Sequence, residues 1–221
     1  MSVNKFNISY VKSLDYWANI PPTIDGVLGG FGFLSDMDIN GSQVFLDSLF
    51  SLENPPCKTL ALDCGAGIGR ITKHLLLPNF KSIDVVEPDE KFLNTIKEFS
   101  GEDSYKITNL YQVGLQEFKP DKKYDVIWNQ WVLGYLTDED LTTYLLRCRD
   151  ALSENGVIVV KENVTSSGKM ENDETDSSIT RTLKHFLKIF KSANLKRIKQ
   201  CKQTNFPNGI YPVYMFALKP N

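Results

Sequence analysis

The chain contains 221 residues, of which 42% are hydrophobic and 24% are charged, with a formal net charge of −2 at pH 7. These proportions are typical of a globular protein with one domain, or one domain and an extension, and they argue against a disordered or fibrous chain. No apolar run approaches the ~20 residues that a membrane helix needs, and residues 1–7 lack the apolar stretch of a secretory signal.

The charge balance lowers the expectation of nucleic-acid binding, because proteins that bind nucleic acid usually carry a basic stripe. The four cysteines contain no C-x-x-C pair and predict neither a zinc site nor a disulfide framework; they are Cys57, Cys64, Cys148 and Cys201. Reduced thiols are typical of cytosolic and nuclear proteins. We therefore expect a cytoplasmic protein, with a nuclear location also open, and no metal, membrane or nucleic-acid partner.

The first part of the chain, residues 1–55, differs from the rest and predicts a helical extension. A short amphipathic helix is expected over 10–20 and should end at the prolines that follow it. Glycines between 26 and 32 predict a flexible stretch, and a second helix is expected over 38–52. The extension is interpreted as a lid over the site rather than as a separate fold.

From Lys58 the pattern alternates strands and helices, which predicts a doubly wound, mostly parallel α/β sheet within a domain of residues 56–221. The strands are predicted over 59–63, 82–87, 105–113, 124–128 and 156–161. Helices are predicted over 68–77, 91–99, from a capping box at Thr137 onward, and over 178–193. The segments 195–203 and 211–218 could pair as a closing hairpin. Ligands of such sheets bind beyond the carboxyl ends of the strands.

The first predicted strand ends in Asp63-Cys64-Gly65-Ala66-Gly67-Ile68-Gly69-Arg70. Glycines permit a tight turn and a close approach of ligand to backbone, and the following helix N-terminus favours a negative group. The dinucleotide fingerprint would need glycine in place of Arg70, and a Walker loop would need Gly-Lys-Ser/Thr. The segment resembles motif I of class I S-adenosylmethionine-dependent methyltransferases; a helix-entry turn without a ligand is the alternative.

This resemblance implies S-adenosylmethionine as cofactor and S-adenosylhomocysteine as product. Arg70 is a candidate partner of the methionine carboxylate, because a guanidinium pairs a carboxylate in a fork. Glu87, about 20 residues beyond the glycine loop, suits a ribose diol, although such a residue is often merely solvated. In the turn after the third strand, Leu115 could pack on the adenine and Gln116 could hydrogen-bond near it. The cofactor set is completed by Gly65, Gly67 and Gln130.

The fourth strand ends in Asn129-Gln130-Trp131, where adenine methyltransferases of DNA and RNA have [Asn/Asp]-Pro-Pro-[Tyr/Phe]. This chain has no proline there, and its charge is slightly acidic. These two features argue against a nucleic-acid base as the substrate. Trp131 offers an apolar wall close to the cofactor, with a core tryptophan as the alternative.

Over about residues 10 to 219 the chain resembles the α-N-terminal protein methyltransferase family, which acts on Xaa-Pro-Lys ends. The segments that carry the resemblance are Tyr16-Trp17, 22–30, 63–70, Gly114-Leu115-Gln116, 126–131, Lys161-Glu162-Asn163, Asp176-Ser177-Ser178 and 211–214. The Asp-Gly-x-Leu-Gly-Gly and Asp-Ser-Ser segments are the most particular. The resemblance implies a seven-stranded sheet and mono-, di- or trimethylation of a free α-amino group before Pro-Lys or Pro-Arg, with ribosomal proteins among the targets.

The resemblance also implies the catalytic residues. Asp176 would orient the amine and take its proton, and Asn163 would hold the substrate's terminal backbone; a helix N-cap and a turn asparagine are the alternatives. The family has a histidine where this chain has Tyr135. With an ordinary pKa near 10, a tyrosine is a poor base at neutral pH, but it could hydrogen-bond the amine.

For the substrate, the resemblance implies an apolar pocket that receives the rigid proline ring, an acidic run over 171–176 that attracts the basic third residue, and a contact to the substrate backbone. The residues assigned to substrate binding are Trp17, Leu28, Gly29, Trp131, Asn163, Asp173, Asp176, Ser178 and Tyr211. The alternative for the acidic run is a solvated loop that binds no substrate. Two other functions stay open: a small-molecule amine or carboxylate methyltransferase, and an inactive cofactor-binding regulator.

Overall fold

The structure is a computed structural model that describes residues 8–221, so the segment 1–7, where no secretory signal is predicted, lies outside it. Within the described residues the α-helices are α1 (Tyr10–Ala18), α2 (Ile24–Val27), α3 (Ser35–Phe50), α4 (Leu77–Asn79), α5 (Glu90–Ser100), α6 (Asp138–Asp150) and α7 (Leu183–Ser192). The strands are β1 (Leu60–Cys64), β2 (Ser82–Val86), β3 (Ile107–Tyr111), β4 (Tyr124–Gln130), β5 (Leu152–Asn163), β6 (Glu171–Asp173), β7 (Ser178–Thr180), β8 (Leu195–Lys202) and β9 (Val213–Pro220).

The main sheet has seven strands in the order β3-β2-β1-β4-β5-β9-β8. The first five strands in the chain run parallel, and β9 is antiparallel to both β5 and β8. This confirms the predicted doubly wound, mostly parallel sheet and its closing hairpin. The strand order reverses between β1 and β4, which is the place where sheets of this kind bind ligands.

Apolar layers cover both faces of the sheet. One layer joins the sheet to α6 and α7 through residues such as Tyr144 and Phe190, and the other joins it to α3 and α5 through residues such as Leu46 and Ile96. Every residue of β4 is buried, as expected for a central strand of a parallel sheet. Because α3 supplies part of the core, the N-terminal segment is packed onto the sheet rather than appended to it.

A buried ionic network fixes α3 to the sheet. Asp38 of α3 pairs with Arg70 at 2.8 Å and with the Lys161 ammonium of β5 at 2.5 Å. The second contact is a close ion pair rather than a well-aligned hydrogen bond. The same ammonium donates to the Asp38 carbonyl, to Ser42 Oγ and to Gln203 Oε1 at 2.9–3.0 Å. Burial lowers the pKa of Lys161, while Asp38 acts in the opposite direction.

Two expectations about local structure were wrong. The stretch over 26–32 is not a flexible segment: Thr23 caps α2 by accepting from the Gly26 N–H, and Asp25 accepts from the Gly32 N–H. The helix expected over 178–193 begins only at Leu183. Its first residues form β7, which pairs with β6, and Thr182 supplies the helix cap.

A third local difference lies in the helix predicted over 68–77, where a π-helical stretch (Thr72–Leu76) precedes α4.

In the part of the chain that the structure describes, no helix is long and apolar enough to cross a bilayer. The four cysteines are free thiols, with Cys64 and Cys148 buried and Cys57 and Cys201 exposed. Residues 8–221 contain no group of three or more His, Cys, Asp or Glu side chains placed to hold a metal ion.

We predict that Lys161→Met lowers the free energy of unfolding by about 3–5 kcal/mol, because it removes one partner of a buried ion pair. It also leaves the Ser42 and Gln203 oxygens without their donor. The control is Lys188→Met on the exposed face of α7, which should change stability by less than about 0.5 kcal/mol. Urea denaturation measures both variants, and equal midpoints would contradict a stabilising role for the network.

Candidate active site

A cavity of about 400 Å³ opens at the carboxyl ends of β1, β2, β3 and β4, beneath α1. All seven residues predicted to bind the cofactor line it: Gly65, Gly67, Arg70, Glu87, Leu115, Gln116 and Gln130. Three of the predicted substrate residues line the same cavity: Trp17, Leu28 and Trp131. The structure therefore brings the two predicted sets together in one space, whose volume lies in the usual range for a small-molecule site.

The glycine loop after β1 adopts a conformation that only glycine takes easily. Gly65, Gly67 and Gly69 have φ angles of +68°, +56° and +85°. A Cβ atom at Gly65 would also lie 2.3 Å from Cγ2 of Val132, which belongs to the segment after β4. The first glycine is thus required both by its backbone angle and by a close neighbour.

Glu87 connects the end of β2 to this loop. Its carboxylate accepts hydrogen bonds from the Gly67 N–H at 2.8 Å and from the Asp89 N–H at 3.0 Å. The side chain is buried beside the cavity, and burial raises the pKa of Glu87 from its ordinary value of 4.5 to about 7. The two backbone donors lower the pKa of Glu87, but burial has the larger effect. Glu87 therefore titrates close to neutral pH.

Asp38, which sequence reasoning missed, orients two predicted cofactor residues. One of its oxygens, Oδ2, accepts from Arg70 Nη1 at 2.8 Å and from Gln130 Nε2 at 2.7 Å. The Arg70 guanidinium also lies 5.5 Å from the centre of the Trp131 ring. Among the described residues Arg70 uses only Nη1 in hydrogen bonds, so its remaining nitrogen atoms stay available for a ligand carboxylate.

At the opposite end of the cavity the turn after β3 is also held from outside. Leu115 is buried and Gln116 is half-buried. Arg147 of α6 donates to the carbonyl oxygens of these two residues at 2.9 and 3.0 Å. An apolar side chain and an amide next to a fixed backbone suit the flat, partly polar adenine ring.

Helix α1 lies over the cavity and is attached at both ends. The Lys91 ammonium of α5 donates to the carbonyl oxygens of Trp17, Ala18 and Ile20 at 2.5–3.1 Å. At the other end the Ser9 N–H donates to Ser177 Oγ, and Ser13 Oγ donates to the Asp176 carbonyl. Positive charge at a helix C-terminus is favourable, so Lys91 is a specific anchor for the residues around Trp17.

Asp176 lies in the turn between β6 and β7 and not at a helix N-terminus, so the alternative role as a helix cap was wrong. Its Oδ1 atom accepts from the Ser178 N–H at 3.0 Å, and its Oδ2 atom accepts from the Tyr135 hydroxyl at 2.7 Å. Tyr135 lines the cavity and Asp176 does not, so the hydrogen bond between them connects the cavity wall to the half-buried carboxylate of the hairpin turn. The Tyr135 ring also makes an edge contact with Trp17, with centroids 6.0 Å apart.

The segment 131–136, which carries Trp131 and Tyr135, is braced by two buried residues that sequence reasoning missed. Glu162 accepts from the Val132 and Leu133 N–H groups at 2.9 and 2.8 Å, and burial raises the pKa of Glu162 to about 7. Arg181 donates to the carbonyl oxygens of Leu133 and Leu136 at 2.8 and 2.5 Å. Trp131 is held at a φ of +52°, and its indole nitrogen is buried with no partner among residues 8–221.

The remaining predicted substrate residues do not line the cavity; they are Gly29, Asn163, Asp173, Asp176, Ser178 and Tyr211. Most of them belong to the β6–β7 hairpin or contact it. Asp173 is opposite Ser178 in the hairpin, and the Tyr211 hydroxyl donates to Glu171. The pKa of Tyr16 is raised by burial and then by Asp176 and Asp173, so α1 and the acidic hairpin face each other.

The side chains around the cavity fit S-adenosylmethionine. The glycine loop leaves no Cβ atom in the way, Arg70 and Glu87 lie where a carboxylate and a diol would need partners, and Leu115 supplies an apolar surface. The buried, unpartnered indole N–H of Trp131 is a further sign that a ligand completes the site, because buried polar groups are normally hydrogen-bonded.

Comparison with known proteins gives matches over nearly the whole chain. The family described as AdoMet dependent proline di-methyltransferase matches residues 5–219. N-terminal Xaa-Pro-Lys N-methyltransferase 1-A of Xenopus laevis is 49% identical over 213 residues, and the match covers 95% of each chain. The human N-terminal Xaa-Pro-Lys N-methyltransferase 1 is 47% identical over 214 residues, again covering 95% of each.

Solved structures of methyltransferases are also similar to this chain. A SAM-dependent methyltransferase of Leishmania major has a TM-score of 0.89 and 36% identity, with 95% of this chain and 82% of that chain covered. The glycopeptide N-methyltransferase MtfA in complex with S-adenosylmethionine has a TM-score of 0.61 at 12% identity, covering 80% of this chain and 87% of that chain, and shares the fold alone.

We predict that cofactor affinity falls as the pH is lowered through 7, because protonation removes the carboxylate acceptors of Glu87. A carboxyl with a pKa of about 7 is mostly ionised at pH 8 and mostly neutral at pH 6, so the Kd of S-adenosylhomocysteine should rise about tenfold between them. Calorimetric titration at the two pH values measures this. Glu87→Gln should bind more weakly and lose the pH dependence; a variant that retained it would place the titrating group elsewhere.

Proposed function

The chain belongs to the family of AdoMet-dependent proline di-methyltransferases, and we propose that it methylates the α-amino group of proteins whose exposed N-terminus reads Xaa-Pro-Lys or Xaa-Pro-Arg. The proposed reaction transfers one, two or three methyl groups to the same nitrogen. The observation that carries it is the single cavity in which the glycine loop and Glu87 meet Trp17, Trp131 and Tyr135.

An apolar recess suits the second residue of such a substrate. Proline has a fixed φ angle and no N–H, so its ring presents a rigid apolar shape that needs no polar partner. Trp17, Leu28 and Trp131 supply the matching walls. The unpartnered indole N–H of Trp131 would then be satisfied by a substrate backbone carbonyl.

The acidic hairpin suits the third residue. Glu171, Asp173, Glu174 and Asp176 lie within six positions of the chain, and Asp173 and Asp176 face Tyr16 of α1. A lysine or arginine that follows the proline would find these carboxylates as it leaves the cavity, with Ser178 and Tyr211 beside them. Asn163, at the end of β5, is proposed to hold the terminal backbone of the peptide, and Gly29 is proposed as a further contact of the peptide.

The chemistry needs a neutral amine that is aimed at the methyl donor. When bound, S-adenosylmethionine supplies a methyl group activated by its positively charged sulfur. The chain's own contribution is to position the amine, exclude water and accept a proton; an α-amino group has an ordinary pKa near 7.7–8.0, so this last task is modest. Asp176 is proposed as the final acceptor of that proton. Helix α1 is proposed to act as a lid over the peptide.

The cellular setting remains part of the proposal. Four free cysteines support a reducing compartment, so we propose that the enzyme acts in the cytoplasm and also in the nucleus. Ribosomal proteins with processed Xaa-Pro-Lys ends are proposed targets. We propose neither nucleic acid nor a membrane as a partner.

A turnover assay with a Ser-Pro-Lys hexapeptide tests the function. The free peptide should be methylated up to three times, whereas the N-acetylated peptide, whose amide nitrogen is not nucleophilic, should not react. Mass spectrometry of the products distinguishes the two outcomes. Methylation of the acetylated control, or none of the free peptide by folded protein, would contradict the proposal.

We predict that Asp176→Asn lowers kcat by about 10²-fold or more, because the loss of a positioned proton acceptor typically has that size. Binding of S-adenosylhomocysteine should stay within about twofold of the wild type. A variant that lost cofactor binding instead would show that Asp176 has a structural role.

We also predict that Trp17→Ala and Trp131→Ala mainly weaken peptide binding, by about tenfold or more, since each removes a large apolar contact of the proline ring. Calorimetry with the hexapeptide and S-adenosylhomocysteine measures this. Phe33→Ala is the matched control, because Phe33 is exposed and does not line the cavity. Unchanged peptide affinity in both tryptophan variants would place the proline pocket elsewhere.

A further inference from the structure

We propose that the Tyr135 hydroxyl contacts the substrate's α-amino group and relays its proton to Asp176. This inference rests on the proposed function and deepens it, since it assigns the group that meets the amine. The carboxylate is then the terminus of a two-residue chain rather than the direct partner of the substrate.

The first support is position. Tyr135 forms part of the cavity wall, whereas Asp176 does not, and the two side chains are joined by a hydrogen bond of 2.7 Å between Oη and Oδ2. A substrate nitrogen inside the cavity is therefore next to the residue whose hydroxyl is bonded to this carboxylate, and the proposed contact is to that hydroxyl. The other carboxylate oxygen is occupied by the Ser178 N–H, which fixes the orientation of Asp176.

The second support is the direction of that hydrogen bond. A phenol has one hydrogen to donate and lone pairs that can accept. Because the Tyr135 hydrogen is donated to Asp176, the oxygen has only lone pairs left for other partners, and the Trp17 indole N–H is a donor close to one of them. An ammonium group has hydrogens to donate and no lone pair, so this oxygen has the polarity that an incoming α-amino group requires.

The third support is that Tyr135 cannot act as a base alone. Burial, then the charge of Asp176 and then its hydrogen bond raise the pKa of Tyr135 well above its ordinary value of 10, so the hydroxyl stays protonated at neutral pH. A neutral hydroxyl can still exchange protons in one concerted event. It takes a proton from one neighbour as it gives its own proton to the other.

In the proposed relay, one N–H bond of the ammonium breaks and its electron pair stays on the nitrogen. The released proton bonds to the Tyr135 oxygen. The original phenol proton moves to Asp176 Oδ2. The products are a neutral amine with a lone pair, an unchanged tyrosine and a protonated Asp176, which returns its proton to solvent before the next round.

The groups around the relay are few. Asp176 of the hairpin and Tyr16 and Trp17 of α1 are the neighbours that affect the pKa of Tyr135, and Asp173 faces Tyr16 from the hairpin. The segment 131–136 is held on one side by Glu162 and on the other by Arg181. Glu162 also titrates near 7, so it must be distinguished from the relay in any pH experiment.

The test compares wild type with Tyr135→Phe, which keeps the ring contact to Trp17 and removes the hydroxyl. Without the relay, the variant must wait for peptide that is already neutral in solution. We expect kcat/KM for the Ser-Pro-Lys peptide to fall about 10²-fold at pH 6.5, the usual size of a lost proton-transfer group. The deficit should shrink at least tenfold by pH 9, above the pKa of the amine. The peptide Kd should change by less than about fivefold.

Two further variants complete the experiment. Tyr105→Phe, at an exposed tyrosine remote from the cavity, is the control for loss of a phenol and should match wild type at every pH. Tyr135→His should restore turnover and add a titration near pH 6.5, because a neutral imidazole can carry the proton. Glu87 and Glu162 are present in every variant and the assays use saturating cofactor, so their titrations cancel in the ratios between variants.

The outcomes separate the two proposals. Wild-type protein that fails to methylate the free peptide would overturn both. Active wild type with an equally active Tyr135→Phe, or with a deficit that stays constant from pH 6.5 to 9, would overturn the relay alone. A Tyr135→His profile that matches wild type would overturn it as well, even if Tyr135→Phe folded poorly.

Discussion

The structure depends on the completely buried carboxylate of Asp38, which joins α3 to the central strands and to the glycine loop. It lies on α3, and its partners are Arg70 after the glycine loop, Gln130 at the end of β4 and Lys161 on β5. A buried charge is tolerated only when its partners are in place, so the loop, two central strands and α3 must assemble in one arrangement. The positions of Arg70 and Gln130 in the cofactor end of the cavity follow from this requirement.

The acceptor end depends on a second set of buried partners. Glu162 accepts from two N–H groups of the segment 131–136 and Arg181 donates to two of its carbonyl oxygens, so a short stretch built around one 3-10 turn (Leu133–Tyr135) is held in place by buried side chains. Arg181 follows β7, the strand after the Asp176 turn, and it therefore links the acidic hairpin to the segment that carries Tyr135. The side chains that we propose to meet the substrate amine are thus held by their surroundings, as proximity catalysis requires.

The sequence was most informative where function depends on neighbouring positions. The glycine loop, Glu87 and the capping box at Thr137 are local patterns, and all were correctly placed. Asp38, Glu162 and Arg181 were missed because each acts on partners about 30 to more than 100 residues away, and periodicity carries no trace of such pairs. The helix predicted over 178–193 was too long for a related reason: pairing with β6 decides the state of its first three residues, although the β-branched Ile179 and Thr180 were a local hint. Family resemblance drew attention to Asp176 and to Tyr135 separately, but not to the hydrogen bond that joins them.

The contact between Gly65 and Val132 has a consequence for how the two halves of the site can diverge. One methyl group added at position 65 would press on the segment that carries Trp131 and Tyr135, 2.3 Å being far inside the van der Waals limit. The glycine loop and the segment 131–136 are therefore packed too closely for any side chain at position 65, so a substitution there would displace the cofactor loop and the segment of Trp131 and Tyr135 together.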